Sequence, residues 1–358
     1  MDETEKSLGS QELLPGEEER AKGLVRLAAL LLPFAGLTLV IIPFAVFAEG
    51  FLSVFNFKLV VIQTVVIAIA ALGMTFVIIS GGIDLSVGSV IALATVAVAL
   101  PLELGHPAWV AALCGIGTAG LCGLLNGLMI TGLRIVPFIA TLGMLGIARG
   151  VAKLLAGEQK IDAPETWLND LMLKIPKDEW LALEPSWFQR IPEAFRDAME
   201  LIVLSPGLWM LLATVVVIWL LLGYTTFGRY TSAIGSNEPT ARLCGVRVNM
   251  VKVGIYTLAG LLTGLAGLLQ FSRLTVGDPT VSVGAELDVI AAVVIGGGSL
   301  SGGEGSIVGT LIGALAMAFL RNGCDLLGWG NYVQEIFIGI FIVIFVAIDQ
   351  IRRARTAT

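Results

Sequence analysis

Gly73-Met74-Thr75-Phe76-Val77-Ile78-Ile79-Ser80-Gly81-Gly82-Ile83-Asp84-Leu85-Ser86-Val87-Gly88-Ser89 sets two adjacent glycines and a carboxylate between two apolar runs. A charge at mid-bilayer depth costs about 2.5–3.5 kcal/mol on insertion scales, so Asp84 needs a structural or functional reason. Gly81 and Gly82 have the conformational freedom to end a helix, and φ > 0 is expected at Gly82. Asp84 or Ser86 stands where a side chain caps the next helix. Two compatible readings fit. One is a tight connection between membrane helices, capped by Asp84. The other is an irregular element near a translocation path.

The surrounding chain has the composition of a polytopic helical membrane protein. Of 358 residues, 56% are hydrophobic and 14% charged, with mean hydropathy +0.90. A soluble domain carries about 25% charged residues. The net charge of −6 comes largely from two acidic stretches outside the apolar runs, Asp2 to Glu19 and Glu158 to Glu200. No basic patch points to nucleic acid. Cys114, Cys122, Cys244 and Cys324 are spaced for neither zinc nor a disulfide framework and read as packing residues, so no metal site is expected. Residues 1–22 are expected to be a disordered cytoplasmic tail without a cleavable signal.

Ten hydrophobic segments follow: 24–48, 58–80, 83–102, 108–130, 136–156, 205–223, 251–271, 285–297, 306–320 and 332–350. Most approach the ~20 residues a span requires. Segment 285–297 is short, runs into Gly296-Gly297-Gly298 and reads as a broken or half-length helix. Basic residues set the orientation. Arg20, Lys22 and Arg26 flank the first span and Arg134 follows the fourth. Arg229, Arg242, Arg247 and Lys252 follow the sixth, and Arg352, Arg353 and Arg355 the tenth. Ten spans put all four clusters on one side, the cytoplasm, with both termini. If 83–102 did not cross, the acidic loop 157–204 would face inward and the basic loop outward.

The fold class is thus all-α, with about ten transmembrane helices, some short or broken. Val77-Ile78-Ile79-Ser80-Gly81-Gly82 is echoed by Val293-Val294-Ile295-Gly296-Gly297-Gly298, each followed by Leu-Ser and then by Gly-Ser. That suggests two pseudo-repeated halves, a common transporter plan. The domains are then 23–156, a first half; 157–204, an outer polar loop; 205–350, a second half containing a cytoplasmic loop 224–250; and a tail, 351–358. Loop 157–204 carries ten acids, five bases, Trp167, Trp180 and Trp187, and Glu193 to Glu200 reads as an amphipathic helix. In the fourth span Ala111, Gly115, Ala119, Gly123 and Gly127 recur every four residues, a small-residue face for close helix packing. Gly260 with Gly264 and Gly309 with Gly313 repeat the device. Asn126, on the neighbouring stripe, either pairs across helices or lines a polar path.

The chain has no GxxxxGK[ST], HExxH or GxSxG. His106, the single histidine, reads as a surface residue beside Pro107. Asp84 and Asp288 lack the surroundings of a protease pair. Ion coupling is poorly supported, because Asp288 and Glu286 lie near a span end and Asp84 follows a break.

At these residues the chain resembles the inner-membrane permease of bacterial sugar ABC importers, closest to the ribose permease group. The resemblance rests on Gly73-Met74-Thr75 through Ser89, Phe138-Ile139-Ala140-Thr141-Leu142 and Arg149-Gly150. It also rests on Gly228-Arg229-Tyr230, Gly235-Ser236-Asn237-Glu238 and Ala241-Arg242-Leu243-Cys244-Gly245-Val246. Glu286 through Gly297 and Leu300-Ser301-Gly302-Gly303 complete it, so that about 55–350 is covered. Loop 157–204 departs from the pattern in being longer and more acidic, which bears on the docked binding protein and so on the sugar.

The resemblance implies a transport subunit with no cofactor of its own, in which no covalent chemistry occurs. It would work as two permease copies, a cytoplasmic ATPase that binds ATP and Mg, and a periplasmic or lipid-anchored sugar-binding protein. Its translocation path or turn would include Gly81, Gly82, Asp84, Ser86, Asn126 and Asp288. Its coupling element would be Gly235, Asn237, Glu238, Ala241, Arg242, Leu243 and Gly245. Within that loop Gly235 and Gly245 bracket about two helical turns, Asn237 caps, and Glu238 with Pro239 suits the first turn. Ala241 and Leu243 are expected to form an apolar contact surface flanked by Arg242 and Arg247. The alternative for this loop is a basic stretch on anionic lipid. For the whole chain the alternatives are a nucleoside or autoinducer permease, an ion-coupled carrier and, last, a membrane enzyme.

Overall fold

The computed structural model describes residues 33–172 and 205–356; Trp180, Trp187 and the stretch 193–200 lie outside them. Twelve α-helices are present among the described residues. They are α1 (Pro33–Phe47), α2 (Val54–Ile79), α3 (Val87–Glu103), α4 (Ala108–Gly132), α5 (Pro137–Leu155) and α6 (Pro206–Tyr224). The others are α7 (Thr226–Ser236), α8 (Glu238–Leu243), α9 (Val248–Leu274), α10 (Ala285–Ile295), α11 (Ile307–Leu326) and α12 (Asn331–Thr356). One small departure from an all-α chain is an antiparallel pair, β1 (Ile161–Asp162) with β2 (Val276–Gly277), in register Ile161 to Gly277.

Six helices, α2, α4, α5, α6, α9 and α11, are long and apolar enough to cross a membrane. Among the described residues, which begin at Pro33, α1, α3 and the apolar part of α12, Asn331–Ala347, are shorter. The count of ten is therefore not confirmed among the described residues. α10, with 11 residues, rises only about 16 Å. It is the half-length helix that segment 285–297 foreshadowed. From Asp288 to Ile295 every α10 residue is buried, as expected of a helix apolar all round.

α2 is the central post, buried over most of its length. Small residues let its neighbours approach. On α4, a Cβ on Gly123 would strike Gly260 of α9, and one on Gly127 would strike Val253. Gly264 of α9 sits against Ile116, and Gly115 faces Ala94 and Val98 of α3. The stripe read from the sequence is thus a three-helix seam. On the other side, Gly309 and Gly313 of α11 lie against the Gly296 and Ala292 carbonyls of α10. Polar pairs tie α2 to α11: the Thr75 and Thr310 hydroxyls are 2.8 Å apart, and the Asn56 and Asn322 amides exchange bonds of 2.7 and 2.8 Å.

α2 and α10 end in the same turn. Gly81 N–H donates to Ile78 O and Gly82 N–H to Val77 O, both at 2.9 Å. Gly297 N–H donates to Val294 O and Gly298 N–H to Val293 O, at 2.9 and 2.8 Å. Each turn passes through one left-handed glycine, Gly81 at φ +78° and Gly297 at φ +86°. This is the Schellman ending, which satisfies the last carbonyls of a helix and needs φ > 0 at one residue. The sequence echo is therefore an echo of backbone geometry.

Candidate functional site

After the α2 turn the chain does not leave the bundle. Residues 82–86 run without helix before α3 begins at Val87. Ile83 O accepts from Thr141 Oγ1 of α5 at 3.3 Å, and Asn126 Nδ2 of α4 donates to Ser86 Oγ at 3.1 Å. Gly82 lies against the Tyr256 hydroxyl of α9. The backbone here is thus irregular yet enclosed by protein, the one setting in which a membrane tolerates it. Asp84 Oδ1 accepts from Ser86 N–H at 2.8 Å and Ser86 Oγ–H at 2.6 Å. It stabilises the approach to α3, not the helix's own first turn. Ser86, the N-cap, makes no capping bond with its side chain.

One expectation changes and one open choice closes. Positive φ falls on Gly81 and not Gly82, where small size matters because of Tyr256. Asn126 pairs across helices. Gly81, Gly82, Asp84, Ser86 and Asn126 do form one cluster, with two members added. The carboxylate is an electrostatic neighbour of Cys122 and Tyr256. Among the described residues, Tyr256 OH and Asn126 Oδ1 are buried without a partner.

A second site lies where three segments meet. Gly303 N–H donates to Ile79 O at 2.8 Å. Gly235 is wedged against Ile79 O, and a Cβ there would sit 2.5 Å from Gly303 N. A Cβ on Gly302 would lie 3.1 Å from Gly81 Cα and 2.7 Å from Gly235 O. The ends of α2, α7 and the glycine loop after α10 thus touch backbone to backbone. Gly235 and Gly245 do bracket the short helix α8, but Gly235 itself lies in the last turn of α7 and makes the contact at this junction.

From this junction the chain turns through Asn237, whose Oδ1 accepts from Thr240 N–H at 2.9 Å and caps α8. Glu238 and Pro239 occupy the first turn, as the spacing suggested. Glu238 pairs with Arg242 at 3.0 Å and Lys252 at 2.7 Å. Burial works against its charge, but those two cations outweigh that and hold the carboxyl below its ordinary value. Gly245 leaves α8 at φ +84°. The expected apolar contact pair is split: Ala241 is 5% exposed and faces inward, whereas Leu243 is 89% exposed.

At the opposite end of α10 is a polar cavity of about 310 Å³. Its walls include Gln63 of α2, Gln270 of α9, Asp288 of α10, Arg321 of α11 and Gln334 of α12. Asp288 Oδ2 accepts from Arg321 at 2.6 and 2.8 Å, Arg321 donates to Gln334 at 3.2 Å, and Gln334 donates to Asp325 at 2.6 Å. Asp288 Oδ1 is buried with no partner. The rim is residues 278–284, held by Arg149, which donates to Pro279 O and Val281 O at 2.9 and 2.8 Å. Lys160 meets Asp278 at 3.2 Å. Burial opposes the Asp278 charge, but Thr280 and Lys160 keep its carboxyl below the usual value.

Asp288 is thus separated from the Asp84 cluster and belongs to this cavity. Gln63, Gln270, Arg321 and Gln334 were missed in the sequence. The available signal was an amide or a charge within an apolar helix.

Residues 56–346 match the family model described as "Branched-chain amino acid transport system / permease component". The chain is 40% identical over 322 residues to the ribose import permease protein of Bacillus subtilis (strain 168), covering 90% of this chain and 93% of that one. It is 35% identical to the fructose import permease protein of Rhizobium meliloti, covering 89% and 84%. It is 34% identical to the L-arabinose transport system permease protein of Escherichia coli (strain K12), covering 88% of each. No solved structure matches.

Proposed function

The chain belongs to the branched-chain amino acid transport system permease component family, and from that premise we propose that it is the membrane subunit of an ATP-driven monosaccharide importer. The observation that carries the sugar is the likeness to ribose, fructose and L-arabinose permeases across nearly the whole chain. The polar cavity agrees with it. Asp288 and Arg321 neutralise each other, which suits an uncharged, hydroxyl-rich cargo.

In this reading the chain sits in the inner membrane with ten crossings in two pseudo-repeated halves, both termini cytoplasmic and the loop 157–204 outside. Two copies line the path. A separate ATPase binds ATP and Mg, and a periplasmic or lipid-anchored binding protein delivers the sugar. α7 and α8 are the coupling element, with Leu243 exposed for contact with the ATPase. ATP binding moves α7, and Gly235 passes the motion to the ends of α2 and α10. α10 ends at the junction and begins at the cavity, so it is the physical connection between them. ATPase binding energy then biases a two-state equilibrium of access. Charge–dipole and hydrogen-bond contacts suffice, and this chain forms no covalent intermediate.

The test is uptake of labelled ribose, fructose and L-arabinose by cells lacking the chain and by cells complemented with it. Loss and restoration for one of these sugars is expected. Unchanged uptake of all three, with loss for an amino acid, would replace the sugar reading.

A further inference from the structure

We propose that the cavity between α2, α9, α10, α11 and α12 is the membrane-embedded resting site of the sugar, and that Asp288, Gln270 and Gln63 bind its hydroxyls. This rests on the importer reading and assigns that reading a place and ligands.

The depth of the site follows from the helices. Gln63 and Val66 stand about 15 Å along α2, whose 26 residues span about 39 Å. The cavity therefore runs from one end of the bundle, where Arg273, Asp325, Asn331 and Gln334 stand in terminal helix turns, down to the middle of α2, beside a discontinuous helix of the kind that builds substrate sites. α10 is such a helix, and Ile91 in the first turns of α3 also lines the cavity. A volume of about 310 Å³ is at the lower end of the ~300–1,000 Å³ of small-molecule pockets. It suits one small ring, not an oligosaccharide.

The chemistry of the wall selects the class. A hydroxyl both donates and accepts, a carboxylate accepts and a carboxamide does both. Asp288 is 2% exposed, and its Oδ1 has no partner while Oδ2 is occupied by Arg321. A buried oxygen left bare costs about 1–3 kcal/mol. A sugar O–H donated to Oδ1 removes that cost once the side chain turns enough to uncover this buried oxygen. Gln270 is 6% exposed and, among the described residues, has no hydrogen-bond partner for its amide. Gln63, half-buried on the facing helix, is in the same state.

Gln270→Ala and Gln63→Ala are reconstituted in proteoliposomes with the ATPase, and the binding protein is added outside. Uptake of labelled ribose should fall about tenfold in each, the effect of one lost hydrogen bond to a desolvated hydroxyl. ATP hydrolysis stimulated by the binding protein should stay near the wild-type rate. Wild-type uptake in both variants overturns the site. If hydrolysis falls as well, a second measurement decides. Gln63→Cys is made with Cys114, Cys122, Cys244 and Cys324 replaced by alanine, and its labelling by a small thiol reagent is timed. Ribose with the binding protein should slow labelling several-fold, and an unchanged rate overturns the site. A wild-type complex that carries no monosaccharide sinks the importer reading instead, which separates the two failures.

Discussion

The two ends of α10 are built on opposite terms. At Gly296 to Gly303 the chain is dry and tight, and backbone meets backbone because no side chain stands between. At Asp288 the chain is roomy, charged and incompletely hydrogen-bonded. The tight end tolerates almost no added volume but needs no particular chemistry. The open end tolerates volume but depends on particular polar atoms. A short buried helix joining such ends can transmit a displacement, since packed cores switch between arrangements and do not deform smoothly.

The sharpest way to break this comparison is to add volume at the tight end. Gly235→Val puts branched carbon where Ile79 O and Gly303 N already touch. Overpacking of this kind costs ~1–3 kcal/mol or more. A lowered melting temperature in detergent and loss of uptake are expected, and a variant that melts and transports normally would remove the junction from the account.

A smaller effect separates Gly82 from Gly81. Gly82→Ala meets the Tyr256 hydroxyl, so Tyr256→Phe should restore much of the lost stability. Gly81→Ala meets nothing within 4 Å but stays strained at φ +78°, at about 1–2 kcal/mol. Tyr256→Phe should not help it. Equal rescue of both variants, read as melting temperatures, would contradict the assignment.

Asp84→Asn should be milder still. Asparagine keeps an oxygen to accept from Ser86 N–H and Oγ–H, and it suits Asx turns as well as aspartate does. Uptake close to wild type is expected in normally assembled complexes. Its abolition would make the Asp84 charge part of transport.

The smallest effect concerns pH. Lys252 and Arg242 hold the Glu238 carboxyl below the ordinary glutamate value, against the opposing effect of burial. Its contribution to stability is therefore present at neutral pH. It is lost as pH falls below that value and through the lower folded one. The difference in melting temperature between wild type and Glu238→Gln should shrink in acid. A difference independent of pH would show that the pair holds by packing alone.

Much of this was legible because it is local. The glycine break at 81–82, the half-length segment at 285–297, the four-residue stripe on α4 and the Asn237 cap each show within a few residues. What was not legible depends on distance along the chain. Asn56 and Asn322 are 266 residues apart, and Thr75 and Thr310 are 235 apart. Nothing near Gly82 announces Tyr256, so φ > 0 was assigned to the wrong glycine of the pair. Ala241 and Leu243 differ by two positions, which on a helix points them to different sides. Which side was covered depended on where α8 packs. The cavity brings together residues from six helices, and no one window contains them.

The central claim is that an ATPase outside this chain drives sugar inward through it. The direct measurement is ribose accumulation in proteoliposomes holding two permease copies and the ATPase. ATP is enclosed and the binding protein added outside. Accumulation should require both ATP and binding protein and should be indifferent to proton or sodium gradients. Leu243→Asp should abolish it while leaving the permease inserted. Accumulation driven by an ion gradient without ATP, or unchanged in Leu243→Asp, would contradict the claim.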